Sequence, residues 1–161
     1  MRLNTLIRRV ERVREEIVPA VKAACERRER EIVEMNQEQM LSGYNADGVL
    51  MNKGYYSDKH TKARMSKGFP VDHVYLAYVT GDFQREMYVE YSDTGFAVQS
   101  HDEKNWNAMM AMRTGYWPSS GEDPLYGPVY GLTAEHKGEL ARMIAPSVAG
   151  KIRNRLLAVG R

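Results

Sequence analysis

The sequence predicts an α+β domain: a small antiparallel sheet with a long N-terminal helix and a C-terminal helix packed on it. At both ends of the chain, apolar residues recur every three or four positions, which is helical spacing. Between the ends, β-branched and aromatic residues alternate with polar ones around a short turn, as in a hairpin. We expect two parts, an N-terminal helical arm over residues 1–41 and an α+β core domain over residues 42–161.

The N-terminal arm is predicted from a seam of apolar residues separated by charged ones. The seam has the spacing of three heptads and consists of Leu3, Leu6, Val10, Val13, Ile17, Ala20 and Ala24. Because Pro19 removes one backbone hydrogen bond, we expect a kink there, or two helices that meet near Val18. The helical pattern then resumes from Ala20 to about Leu41, and Gly43 stops it.

The middle of the chain contains the predicted sheet. A turn-rich loop over residues 42–54 precedes a short polar helix over 58–67, which Gly68 terminates. A strand is predicted over 71–79. The alternating segments 87–91 and 96–100, joined by a polar turn, then predict an antiparallel hairpin.

The last third of the chain is predicted to end in a basic helix. A helix over 104–114 is followed by a segment rich in glycine, proline and serine. Thr133 is placed to cap the final helix, which Pro146 bends or restarts. Its apolar stripe consists of Leu140, Met143, Ile144, Val148, Ile152, Leu156 and Leu157.

The charged residues are unevenly distributed. Lys and Arg number 23 and Asp and Glu 21, a net charge of +2, which alone does not indicate a nucleic-acid-binding protein. However, residues 1–31 carry nine basic and six acidic groups, residues 32–136 eight and fourteen, and residues 137–161 six and one. Basic ends therefore flank an acidic middle, and such a pattern can set the register between neighbouring subunits.

Several classes of protein are not expected from this sequence. Cys25 is the only cysteine, so no intrachain disulfide and no cysteine zinc site can form. The N-terminus lacks the apolar core of a secretory signal, and no apolar segment is long enough to span a bilayer. We therefore expect a protein with no membrane partner.

The residues that usually carry catalysis do not form a recognisable pattern. The four histidines, His60, His73, His101 and His136, fall in different predicted elements, and none is paired at helical ligand spacing. Phosphate-binding glycine motifs and a nucleophile elbow are also missing. We predict no catalytic residue, no cofactor, no metal and no enzymatic activity. A small metal-dependent hydrolase that uses His60 or His101 with nearby carboxylates remains an alternative hypothesis.

Two groups of residues are predicted to form intermolecular contacts. The chain contains ten tyrosines and two tryptophans, residue types enriched at protein interfaces, and four of these aromatics lie in the loop before the last helix. An unbroken arm would extend about 60 Å, more than the diameter of the remaining domain, so its seam must fold back or meet a partner. The candidate interface residues are Leu3, Leu6, Val10, Val13, Ile17, Tyr116, Trp117, Tyr126 and Tyr130.

The basic ends suggest nucleic acid as an alternative partner. Arginines at 8, 9, 12 and 14 and basic residues at 151, 153, 155 and 161 could contact phosphates. Glutamates are interleaved with the arginines of the N-terminal group, which favours a solvated or subunit-pairing face there. We keep a nucleic-acid-binding module as the alternative function and favour contact between subunits.

The order of several short motifs resembles a known family. The helical arm is followed by Tyr55-Tyr56-Ser57, Thr61-Lys62, Lys67-Gly68, a strand ending in Thr80-Gly81-Asp82-Phe83, the hairpin and Tyr130-Gly131-Leu132-Thr133. Over residues 30–157 this order resembles the small virion proteins of tailed bacteriophages and prophages, in particular the tail-completion or minor tail proteins of the head-tail junction, or neck. Leu76 is displaced by one residue from the pattern, and the loop over 115–127 has no counterpart in it.

The resemblance implies a structural role in the virion. Such a protein would form a ring of identical copies between the portal-proximal connector and the tail, and would contact the connector and the tail tube. It would be located in the virion, and in the host cytoplasm during assembly. In this family setting, Thr80-Gly81-Asp82 would serve a backbone turn and no reaction.

Overall fold

The computed structural model describes residues 3–51, 58–72, 81–103 and 130–158, and for residues 3–6, 9 and 156–158 it describes the backbone alone. Within these ranges the chain forms five helices and a two-stranded antiparallel sheet, so the predicted α+β class with a helix at each end is confirmed. The predicted strand over 71–79 lies largely outside the described residues, and the predicted helix over 104–114 lies entirely outside them.

The N-terminal arm consists of two helices, α1 (Leu3–Glu26) and α2 (Glu29–Leu41). Their junction lies at Arg27 and Arg28, so the prediction of two helices that meet near Val18 is wrong. Helix α1 continues through Pro19, an exposed position where water can satisfy the carbonyl group that loses its partner. The chain instead turns at Arg28, whose N–H donates to the Cys25 carbonyl at 2.8 Å.

Helix α3 (Asp58–Met65) ends as the sequence predicts. Gly68 has a φ of +72°, a left-handed conformation that glycine adopts without steric cost. The N–H of Gly68 donates to the Met65 carbonyl and the N–H of Phe69 to the Arg64 carbonyl, both at 3.0 Å. These two bonds form a Schellman motif, which satisfies carbonyls at the helix end.

The predicted hairpin is confirmed. Gly81, at a φ of +79°, starts the short helix α4 (Asp82–Arg85), and strand β1 (Met87–Tyr91) follows it. Strand β2 (Phe96–Ser100) pairs with β1 in antiparallel register, with Val89 opposite Val98. Both of these valines are buried, because alternate residues of each strand face the core.

The C-terminal helix α5 (Ala134–Ala158) begins at the predicted cap. The His136 N–H donates to the Thr133 hydroxyl at 3.2 Å, which satisfies one of the free N–H groups of the first turn. The helix neither ends nor restarts at Pro146, which is exposed. Its predicted stripe is buried where it reaches the core, at Leu140, and is partly buried at Met143 and Ile144.

The hydrophobic core is centred on α2. Three of its residues are buried in one cluster with residues of the hairpin, α4 and α5; the main members are Ile32, Met35, Met40, Phe83, Val89, Val98, Leu132 and Leu140. Helix α2 packs on both strands, while α1 packs mainly on α5. The cluster therefore contains residues from both sides of the predicted boundary between 41 and 42, so the two parts share one core.

Candidate interaction surfaces

The predicted interface residues of the arm all belong to α1, and their side chains differ in how much they are exposed to solvent. Val10 is 60% exposed and Ile17 40% exposed, whereas Val13 is half-buried. Leu3 and Leu6 belong to the helix, but their side chains lie outside the described residues. The seam is buried further along the helix, at Ala20 and Ala24. The two ends of α1 therefore differ: the C-terminal end belongs to the core, and the N-terminal end presents apolar side chains to solvent.

Two further exposed apolar residues extend this surface. Ile7 is 46% exposed and Val18 is 54% exposed. At 3.6 residues per turn, Ile7, Val10, Ile17 and Val18 share an arc of about 100° of the helix circumference. We call these four residues the α1 patch. The heptad seam did not include Ile7 and Val18, although each follows a seam residue directly and widens the apolar stripe on one side.

Helices α1 and α5 run antiparallel. The Glu16 carboxylate pairs with the Arg155 guanidinium at 2.8 Å, and eleven residues further along the chain, just past the end of α1, the Arg27 side chain donates to the Ser147 hydroxyl at 2.6 Å. Continuing this pairing places Ala158, at the end of α5, opposite about residue 13 of α1. Residues 3–12, which we call the overhang, therefore extend about 15 Å past the end of α5.

The antiparallel arrangement brings both basic ends of the chain to the same end of the molecule. Arg12 and Arg14 on α1 and Lys151 and Arg153 on α5 are exposed, and the Glu16–Arg155 pair shows that the two segments lie at the same end of the described structure. The sequence predicted two basic segments but could not show that they share one end.

An apolar groove of about 240 Å³ lies between α1 and the hairpin turn. It is lined by apolar and aromatic side chains, with Lys22 and the turn residues 92–95 at its edge; the apolar and aromatic lining residues are Ile17, Val18, Val21, Cys25, Tyr91 and Phe96. We call it the hairpin groove. Because it contains Ile17 and Val18, it is continuous with the α1 patch.

Tyr91 fixes the hairpin against α1 at one wall of this groove. Its hydroxyl donates to the Cys25 carbonyl at 3.1 Å. Burial, with the nearby charges of Glu29 and Glu26, raises the pKa of Tyr91 to about 12. Burial also raises the pKa of the Cys25 thiol, with the Glu26 charge as a smaller cause. The polar edge of the groove is thus acidic on the side of Glu26 and Glu29.

Of the four aromatic residues predicted to form contacts from the loop before the last helix, the structure describes Tyr130. The Tyr130 ring is half-buried and lies 5.9 Å from the Phe83 ring, measured between centroids. Burial, and to a smaller extent the charge of Asp102, raises the pKa of its hydroxyl. Tyr116, Trp117 and Tyr126 lie outside the described residues. Tyr130 therefore packs against the core cluster, and an interface role for the loop remains a prediction.

The histidines that the structure describes are separated from one another along the fold. His60 is exposed on α3, and the His101 ring stacks on Tyr88 with a centroid distance of 4.1 Å. His136 lies in the first turn of α5, and His73 is outside the described ranges. Among the described residues, no three potential metal-ligating side chains form a group. The helices that the structure describes also include none long and apolar enough to cross a membrane.

A polar cleft of about 380 Å³ at the start of α5 was not predicted from the sequence. Its lining includes three carboxylates and two groups that can donate or accept hydrogen bonds, namely Glu38, Asp47, Glu135, Tyr44 and His136. These residues come from three separated segments of the chain, which explains why sequence spacing gave no signal. Gln39 forms part of the wall, and its side-chain Oε1 accepts from the Thr133 N–H at 3.0 Å.

Comparison with known proteins yields no relative. No protein-family model matches the chain, and no curated protein and no solved structure match it either.

Proposed function

We propose that this chain is a structural virion protein of a tailed bacteriophage, without enzymatic activity, that works at the head-tail junction in tail completion. In this proposal, copies assemble as a ring between the connector and the tail, and α1 provides a main contact surface. The phage assignment depends on the order of the short motifs described above. The mode of action, assembly through contacts between subunits, is supported by the surface of α1.

The observation that carries the proposal is the α1 patch. Its four aliphatic residues are each 40% or more exposed, and two of them lie on the overhang, where α5 provides no cover. Exposed apolar side chains on one face of a helix are typical of an interaction site, whereas scattered single residues are normal in any protein. Ile7 and Val10 lie on this face one turn apart, and the exposed Arg14 separates them from Ile17 and Val18. Among the residues that the structure describes, α1 therefore has apolar side chains in contact with water.

The shape of the overhang also supports assembly. A helix that extends about 15 Å past α5 gains no packing from α5 there, and helical stability in proteins comes largely from packing of an apolar face. A partner subunit would supply that packing. The mixed charges of this segment, with three arginines and one glutamate within residues 3–12, would direct which surface it meets.

The experiment that tests this proposal is a truncation guided by the core. Ala20 and Ala24 are buried, so removal of residues 1–24 would remove core residues. Deletion of residues 1–11 removes most of the overhang and leaves the core intact. We expect the truncated chain to remain folded, with an unchanged far-ultraviolet signal per helical residue, and to lose self-association in sedimentation and negative-stain electron microscopy.

A second set of measurements tests the virion assignment. Mass spectrometry of purified particles should detect the chain, and neighbouring reading frames should encode a portal, capsid or tail-tube protein. Particles that are complete and infectious without this chain would refute the assignment. Turnover of a substrate by the purified monomer would refute the structural role itself.

Nucleic-acid binding is kept as a second candidate because of the basic end of the molecule. Arg12, Arg14, Lys151 and Arg153 are all exposed at that end, and clustered basic side chains are the electrostatic signature of phosphate binding. If this candidate is right, affinity for duplex DNA falls steeply with salt, and K151S/R153S reduces the salt dependence. An absence of binding at low ionic strength would eliminate it.

A further inference from the structure

The hairpin groove fits side chains of a helix better than a small ligand. Its volume of about 240 Å³ is below the range of about 300–1,000 Å³ that is usual for small-molecule pockets. Six apolar or aromatic residues line it, and one wall is itself a helix, α1. Such a groove resembles those that receive the apolar face of an amphipathic helix.

The chain itself contains an amphipathic helix that needs such a groove. The overhang carries Ile7 and Val10, which are one turn apart on the same face, and both side chains are about half exposed. Within one molecule the overhang cannot enter its own groove, because it is the continuation of the helix that forms the wall. Ile7 lies about 16 Å along α1 from Val18. Among the residues that the structure describes, the hairpin groove is therefore within reach of the overhang only in another copy.

The charges of the two surfaces are complementary. The overhang carries Arg8, Arg9 and Arg12 against a single Glu11. Beside the Tyr91 wall lie Glu26, which follows Cys25, and Glu29, whose carboxylate accepts from the Val89 N–H at 3.3 Å. In the lining itself, Asp93 on the hairpin turn stands beside Lys22. The arginines that are close in sequence to this side are engaged elsewhere: Arg28 pairs with Glu31, Arg30 with Glu34, and Arg27 contacts Ser147. Lys22 is the one cation lining the groove in the described structure.

We propose that the overhang of one copy docks in the hairpin groove of the next copy. In this arrangement, Ile7 and Val10 of one molecule pack against the groove lined by Ile17, Val18 and Phe96 of its neighbour. The contact joins two different surfaces, so it is heterologous, and repetition of a heterologous contact produces a closed ring or an open filament. This inference rests on the proposed self-assembly and specifies its geometry.

The experiment is thiol cross-linking between chosen positions. In a Cys25→Ser background, which removes the only natural thiol, one protein carries Val10→Cys on the overhang and another carries Thr94→Cys on the hairpin turn. Both positions are exposed. The two proteins are mixed and treated with a short flexible bis-maleimide. A matched control replaces Thr94→Cys by Met65→Cys, an exposed position on α3 that does not line the groove.

The expected result is a cross-linked heterodimer of V10C with T94C, and none of V10C with M65C. The double variant V10C/T94C should give a ladder of dimers, trimers and larger species. Homodimers of V10C alone would indicate a two-fold pairing of overhangs and overturn the inference, while the proposed self-assembly would stand. Sedimentation of the protein with its natural Cys25 separates the two proposals: a monomer at every concentration, with no cross-link in any mixture, would contradict both.

Discussion

The double substitution Ile7→Ser with Val10→Ser is expected to separate assembly from folding. Complete burial of an aliphatic side chain contributes about 1.5–3 kcal/mol. Ile7 is 46% exposed and Val10 60% exposed, so about half of that contribution, about 1 kcal/mol for each residue, is still available to a partner. Loss of both therefore weakens self-association by about 2 kcal/mol, which corresponds to about 30-fold in the dissociation constant.

The same substitution should change the free energy of unfolding by less than about 0.5 kcal/mol, because exposed positions contribute little and serine has a helix propensity close to that of valine and isoleucine. The assays are sedimentation equilibrium for association and urea unfolding followed by circular dichroism for stability. Val49→Ser with Met65→Ser is the matched control, since both residues are more than half exposed apolar side chains outside the α1 patch.

Two outcomes would refute this reasoning. If the Ile7 and Val10 double variant associates as strongly as the original protein, the α1 patch is not a contact surface. If the unfolding free energy of this variant falls by more than about 1 kcal/mol, Ile7 and Val10 stabilise the monomer and are therefore not free contact residues. If the control variant loses as much association free energy as the Ile7 and Val10 variant, the effect is a general one of surface hydrophobicity.

Four further substitutions test the fold itself. Phe83→Ala removes a fully buried ring from the core and should lower the unfolding free energy by about 3–5 kcal/mol in urea titrations; a loss below about 1 kcal/mol would contradict its central place. Thr133→Ala removes the cap of α5 and should lower the unfolding free energy by about 1 kcal/mol. An unchanged midpoint of urea unfolding would show that the cap does not form in solution. Gly81→Ala should lower the unfolding free energy by about 1–2 kcal/mol, because the φ of +79° at this position strains any residue with a Cβ. Gly95→Ala is the control and should lower it less, because Gly95 does not have a positive φ. The pKa of Tyr91 is near 10 in the unfolded chain and about 12 in the folded one, so the unfolded chain loses its proton first and the fold should lose stability as pH rises from about 10 towards about 12. Tyr91→Phe should flatten this alkaline dependence of the unfolding free energy. An identical pH profile for the variant would contradict the assignment.

The local elements of this protein follow from short-range sequence signals. The alternation in 87–91 and 96–100 predicted the hairpin, since the two-residue period of a strand places Val89 and Val98 on one face. Gly68 predicted the end of α3 because it adopts the positive φ that closes the last turn. Thr133 predicted the start of α5 because its hydroxyl accepts a hydrogen bond from the first turn. Pro19 misled the prediction of the break, because a proline costs a helix one hydrogen bond and a steric clash, and the packing of α1 on α5 keeps the helix continuous in spite of that cost.

The sequence by itself determined the α+β class, the hairpin and the amphipathic character of both terminal helices, because each depends on residues a few positions apart. Tertiary structure alone decided which part of the α1 seam is buried: the antiparallel packing against α5 leaves the first turns uncovered, while Ala20 and Ala24 enter the interior. It also brought the hairpin turn beside Ile17 to form the groove and placed both basic ends at one pole. Such juxtapositions depend on contacts between distant segments, which no local pattern encodes.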